Sequence, residues 1–152
     1  MTSRKIGIAV VTLGVLAAGL GRSLPVSARD DHLKFSIASA LGTADAKSKL
    51  DPKVALYFAR KGPGGQDLGT FTANKKTRAM GKSDQEACEW AFLSAVLSLQ
   101  ERAHQLQATA VVEIQSVYKD EPFSSEKEFM CGAGTIMAGV ALRGKFIKSG
   151  AK

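Results

Sequence analysis

Two glycine-rich spots, two histidines and two cysteines are the places in this sequence where chemistry could begin. Gly81-Lys82-Ser83 stands directly before a helix-forming run and has the ending of a phosphate-binding loop, whose free helix amides hold an anion. That loop needs a glycine five residues before Gly81, and position 76 is Lys. Ser83 followed three residues later by Glu86 reads instead as a capping box, in which hydroxyl and carboxylate satisfy free amides reciprocally. Gly132-Ala133-Gly134 with Gly139 imitates a dinucleotide-binding turn, but the spacing differs and no βαβ unit surrounds it, so close backbone packing is expected there. His32 lies near the start of the globular part, and His104 sits between Ala103 and Gln105 on a long helix. There is no Gly-x-Ser-x-Gly elbow, no His-Glu-x-x-His pair and no two carboxylates assignable to one cleft. No catalytic residue, metal site or cofactor is predicted.

The cysteines are more informative. Cys88 falls on the apolar stripe of the long helix, and Cys131 on a strand whose side chains alternate toward it. In an exported protein such a pair reads as one disulfide, Cys88 to Cys131. The loop it closes makes it worth about 4 kcal/mol in the chain-entropy picture. The alternatives are two free buried thiols, a metal pair or a redox pair. A metal would need further ligands and a redox pair is usually Cys-x-x-Cys, and neither pattern is present.

Export is itself a reading of the first 28 residues. Arg4 and Lys5 precede an uncharged run from Ile6 to Gly21, which ends in Arg22-Ser-Leu-Pro-Val-Ser-Ala28. These are the three parts of a secretory signal. Val26 and Ala28 are the small side chains expected at the third and first positions before the cut, so cleavage is predicted after Ala28. A permanent membrane anchor is the rival, but the run of 16 residues is short against the roughly 20 of a comfortable span. No cysteine lies near the cut, which excludes lipid attachment there and leaves no stable membrane anchor.

Cleavage also changes the charge. The 152-residue chain carries a formal +7, but losing Arg4, Lys5 and Arg22 leaves 18 basic residues against 14 acidic ones, a net +4 on about 124 residues. Lys75, Lys76 and Arg78 form the densest basic cluster, too small for a polyphosphate groove, so no nucleic-acid partner is expected. With 45% hydrophobic and 23% charged residues, the mature chain fits one globular domain, residues 29–152.

The elements that must position these residues follow from pattern. Arg29 to His32 reads as a frayed start, and Leu33, Phe35 and Ile37 alternate as a short extended piece. Thr43 caps a short helix that Asp51-Pro52 should end. Val54–Phe58 reads as a strand, Lys61–Gly65 as a turn, and Leu68–Lys75 as a second strand paired with the first. From Ser83 to about Gln107, Cys88, Phe92, Ala95, Leu99, Ala103 and Leu106 recur at helical spacing, with Trp90, Leu93, Val96 and Leu97 widening the buried face. Ala108–Val117 is a strand and Asp120–Ser125 a loop. In Lys127–Ile147 the apolar parity changes, which predicts a bulge or bend near Gly132–Gly134. The expected fold class is α+β, with one long helix on a mainly antiparallel sheet of four or five strands.

The helix Ser83–Ala103, the strand Ala110-Val-Val-Glu-Ile114 and the segment Phe129-Met-Cys-Gly-Ala-Gly-Thr-Ile-Met-Ala-Gly-Val-Ala-Leu142, behind such a leader, resemble a family of small exported proteobacterial proteins often labelled "excinuclease ATPase subunit". The order of elements is more distantly similar to the domain of the outer-membrane lipoprotein sensor of the Rcs envelope-stress pathway and to YbjQ-like domains. That similarity implies a compact disulfide-bonded domain used for interaction. The lipid-bearing cysteine and second disulfide of the sensor have no counterpart here, so tethering and stress signalling do not carry over.

The expectation is therefore a non-enzymatic periplasmic or secreted binding domain whose partner is an envelope component. Its alternatives are the nucleotide-linked DNA-repair role of the family label, and a small metal or ligand carrier. Tyr118, Phe123 and the Lys75, Lys76 and Arg78 strip are the exposed candidates for a binding face.

Overall fold

The computed structural model describes residues 28–150. Residues 1–27, with the expected leader and Val26 of its cleavage motif, lie outside the described residues, as do 151–152. The domain is α+β: six strands form a mixed, mostly antiparallel sheet, and one long helix covers one face of it.

The chain begins with β1 (Asp31–Ser36), followed by two six-residue helices, α1 (Ile37–Gly42) and α2 (Ala44–Lys49). The start is not frayed: β1 pairs antiparallel with β5 (Glu128–Ala133), and Arg29 pairs with both Asp31 and Asp84. Ile37 ends the extended stretch earlier than expected, because the Ser36 hydroxyl accepts the Ser39 N–H and starts a helix there. Thr43 caps α2 through the Ala46 N–H as its type predicts.

Next come β2 (Ala55–Phe58) and β3 (Gln66–Arg78), then α3 (Asp84–Leu106), β4 (Ala110–Ser116), a 3₁₀ turn (Tyr118–Asp120), β5 and finally β6 (Met137–Lys148). The expected pairing of the first two strands after α2 is overturned. β2 lies parallel to β4, while β3 runs antiparallel along nearly the whole of β6. Length decides this: β2 offers four residues before Ala59 turns the chain in a left-handed conformation, whereas β6 gives β3 a ladder from Gln66 to Arg78. The parity change expected near Gly132–Gly134 is a full reversal rather than a bend. β5 and β6 form a hairpin, with Gly132 opposite Gly139 and Ala133 opposite Ala138.

The helix starts where its capping signal places it, through one half of the expected box: the Ser83 hydroxyl accepts the Glu86 N–H, and Gln107 closes the helix in the left-handed region. Cys88, Phe92, Ala95, Leu99 and Ala103 are buried together with Leu93 and Val96, but Trp90 turns outward, where the Lys49 ammonium lies 4.8 Å from its ring. Phe92 stacks on Phe129 at 4.2 Å, and Phe58 lies against the same ring. Each large side chain so buried contributes about 1.5–3 kcal/mol before conformational entropy is counted. The Cys88–Cys131 disulfide ties α3 to β5 across this core, with Cα atoms 5.9 Å apart and both residues fully buried. Among the described residues no helix is long and apolar enough to cross a membrane.

Candidate functional site

Because side chains alternate along a strand, α3 covers only half of each one. On β6 the residues Ala138, Val140, Leu142 and Phe146 join the core under the helix, and Gly139, Ala141, Arg143 and Lys145 emerge on the opposite face. The partners directly opposite them on β3 share that face: Lys76 beside Gly139, Asn74 beside Ala141, Thr72 beside Arg143 and Thr70 beside Lys145. From β4, Gln115 stands opposite Arg143 on the other side. Among the described residues no α-helix covers this outer face.

The segment after β4 folds over one part of it. The Tyr118 ring lies flat on the Gly132–Gly139 pair, and a Cβ on Gly132 would overlap its Cζ and Oη atoms. A Cβ on Gly139 would come within 3.2 Å of the same ring and 3.4 Å of the Lys76 Cγ. The close packing expected of these glycines is thus the seat of an aromatic ring. Tyr118 Oη donates to Asp30 Oδ1 at 3.1 Å, Lys119 pairs with Asp30 Oδ2, and His32 meets the Tyr118 ring edge-on at 5.3 Å. His32 Nδ1 also lies 3.3 Å from Glu121. These contacts fix the 3₁₀ turn against the sheet.

A cleft of about 360 Å³ opens between that turn and the strands. It is lined by Thr72, Asn74, Ala141 and Arg143 from below and by Lys119 and Asp120 from the side. A second hollow, lined by Thr70, Glu113, Gln115 and Lys145, meets it at Arg143. The acids and bases here are not equally engaged. Lys145 is held by Glu113 at 3.1 Å, a hydrogen bond that raises its pKa above the ordinary lysine value, and Lys119 is held by Asp30. Arg143 is exposed and has no hydrogen-bond or ion-pair partner among the described residues, although it stands on the central strand between a hydroxyl and an amide. Three non-glycine residues in the left-handed region, Glu113, Lys119 and Asp120, border these two hollows. Such conformations cost energy and are kept where the surrounding structure enforces them.

The residues singled out from sequence fall in several places. Cys88 and Cys131 form the disulfide and are spent on structure. Ala28 is exposed and lines a shallow hollow with Arg29, Thr135, Ile136 and Met137. The basic strip is split by strand parity: Lys76 and Arg78 project from the outer face, but Lys75, opposite Val140, projects toward the helix side. Tyr118 and Lys76 meet over Gly139, whereas Phe123 is half-buried elsewhere, under the Lys34 ammonium at 4.4 Å. His104 sits exposed beside Asp51. The helix N-terminus after Gly81-Lys82-Ser83 already carries Ser83 and two carboxylates, Asp84 and Glu86, which disfavour a second anion there. Asp84 is in turn hydrogen-bonded by Arg29, which lowers its carboxyl pKa below the ordinary value. Sequence reasoning missed Arg143, whose signal is its parity: it occupies an outer-face position of a strand whose inner positions are all small or apolar.

Compared with protein-family models, curated proteins and solved structures, the chain matches none of them. What the site can do therefore rests on its own geometry.

Proposed function

We propose that the protein is a non-catalytic binding domain working outside the cytoplasm, exported by residues 1–28 and cut after Ala28, and that its working surface is the outer face of the sheet around Arg143. The observation that carries this reading is a guanidinium with no partner among the described residues, on the central strand of a sheet face that no α-helix among them covers. A guanidinium presents five donors in a planar fork suited to a carboxylate, and the Thr72 hydroxyl and Gln115 amide beside it add neutral donors. Asp120 and Glu113 at the margins argue for a single acidic group on a partner protein rather than a polyanion. The buried disulfide supports an oxidising compartment.

The test is site-specific photo-crosslinking in cells. A photoreactive residue at Asn74, on the cleft floor, should capture an envelope protein, and one at Glu101, on the exposed side of α3, should not. Arg143→Glu should abolish the Asn74 product. Capture from Glu101 with none from Asn74, or capture indifferent to Arg143→Glu, would overturn the proposal.

A further inference from the structure

We infer that β3 is the seam of a homodimer, formed by antiparallel pairing of its free edge with that of a second copy about a two-fold axis at Thr72. Among the described residues the sheet ends in three strands that have a neighbour on one side only: β1, β2 and β3. β1 has six residues and β2 four, short enough to be poor templates. β3 has thirteen, and among the described residues its only strand partner is β6, so its opposite edge offers a row of backbone donors and acceptors with no strand against it. Phe71 lies on this strand and is one of the few exposed large apolar side chains, 37% accessible.

Charge selects the occupant, and charge together with the apolar Phe71–Ala73 match selects the register. The acidic residue of β3, Asp67, lies toward one end, and its cations Lys75, Lys76 and Arg78 lie at the other. Parallel pairing would set like charges side by side, and antiparallel pairing with an identical strand sets opposite charges together. The register follows from the bulge between Asp67 and Thr70, where two residues oppose one on β6. Pairing about Thr72 puts Thr70 opposite Asn74 of the other copy and Phe71 opposite Ala73, and beyond the bulge it puts Asp67 opposite Lys76. Asp67 and Lys76 both project from the outer face, so the match is made twice. Moving the axis one residue to Ala73 also keeps the faces matched but sets Asp67 opposite Arg78 at the strand end and Phe71 opposite the charged Lys75 instead of Ala73, and moving it to Asn74 loses both ion pairs. Lys76 has no ion pair among the described residues, while Asp67 accepts the Gly69 N–H at 2.8 Å and lies near Lys145 without an ion-pair contact among them.

The dimer also bears on the binding face, though it does not depend on the reading of Arg143. Arg143 stands opposite Thr72, so across β6, β3 and their two mates the two guanidinium-bearing positions would be three strand spacings apart, about 14 Å, on one continuous outer face. Such a surface fits two acidic groups presented together.

Sedimentation equilibrium of the purified protein tests the seam with a charge swap. Wild type should dimerise at micromolar concentration. Lys76→Glu alone faces Asp67, and Asp67→Lys alone faces Lys76, so each should weaken self-association about tenfold or more. Mixed in equal amounts, the two variants should form a heterodimer as tight as wild type, since both crossed pairs are then opposite in charge. A wild type that stays monomeric, or a mixture no tighter than its components, overturns the inference. Because Asp67→Lys gives up the Asp67–Gly69 bond, hydrogen exchange on wild type serves as the second measurement. Amides in 66–78 should gain protection as concentration rises, and those in β1 and β2 should not; uniform or absent protection counts against the seam.

Discussion

Gly132→Ala isolates the contact that seats the turn beside the cleft. The added Cβ would overlap the Tyr118 ring, whose atoms come well inside the 3.0 Å that real contacts respect. The ring must therefore lift, and overpacking of this kind costs about 1–3 kcal/mol. Lifting it also breaks the Tyr118 Oη bond to Asp30, worth about 0.5–1.5 kcal/mol. Against this, alanine in a strand is better than glycine by about 0.5–1 kcal/mol. The net expectation is a loss of about 2 kcal/mol, near 8 °C in Tm for a domain of this size. The double mutant decides the cause. In a Tyr118→Ala background the obstruction is gone, and Gly132→Ala should be neutral or stabilising. Urea denaturation of the four proteins in the cycle measures both numbers. An equal cost of Gly132→Ala with and without the tyrosine would refute the ring-on-glycine explanation, because the strain would then lie in the backbone.

Other consequences can be checked alongside. Replacing both cysteines by alanine should cost about 4 kcal/mol, since the bridge spans 43 positions of sequence, and should lower the urea midpoint without changing far-UV circular dichroism. Gln100, buried in α3, accepts the Asp51 N–H at 3.0 Å and donates to the Asp51 and Val54 carbonyls at 2.8 and 3.3 Å. Gln100→Leu should therefore cost about 2–3 kcal/mol through the backbone groups it orphans, and Gln100→Glu should cost more, since a carboxylate faces two carbonyl oxygens. The Arg29 hydrogen bond holds the Asp84 carboxyl below its ordinary value of 3.8, so its contribution is present above that pH and is lost as pH falls through the lower folded value. Asp84→Asn should accordingly flatten the acid limb of a stability profile from about pH 5 down to about pH 2, with little effect on its alkaline side.

How much of this could be read in the sequence depends on the range of the interaction. The long helix, its Ser83 start and the Thr43 cap were legible because each is set within four residues: a hydroxyl meets an amide one turn away. The disulfide was legible because helix periodicity and strand parity each aimed one sulfur at the same core. Strand partners were not. Nothing local to β2 says that its neighbour is β4, fifty-odd positions on, rather than the next strand along the chain. The hairpin of β5 and β6 was half visible, as a parity change whose reversal was mistaken for a bend. The candidate site was missed for the same reason. Arg143, Thr72 and Gln115 come from three strands, and only the sheet register puts them in one row.

Strand parity also lets the outer face change without endangering the fold. Arg143 shares a strand with Val140, Leu142 and Phe146, yet they belong to opposite faces: those three are fully buried beneath α3, while Arg143 is exposed and has no hydrogen-bond or ion-pair partner among the described residues. Arg143→Gln should therefore leave the urea midpoint unchanged within about 0.5 kcal/mol, the ordinary range for a surface position away from packing. Leu142→Ala, one residue earlier, should cost about 2–5 kcal/mol. Paired measurements at these neighbours test the division of labour directly. If Arg143→Gln proved as damaging as a core truncation, the guanidinium would be holding the sheet together and could not be free to meet a partner. If it is silent in stability while it removes the crosslink from Asn74, the residue is retained for recognition, because nothing in the folding of the domain requires a positive charge at that point.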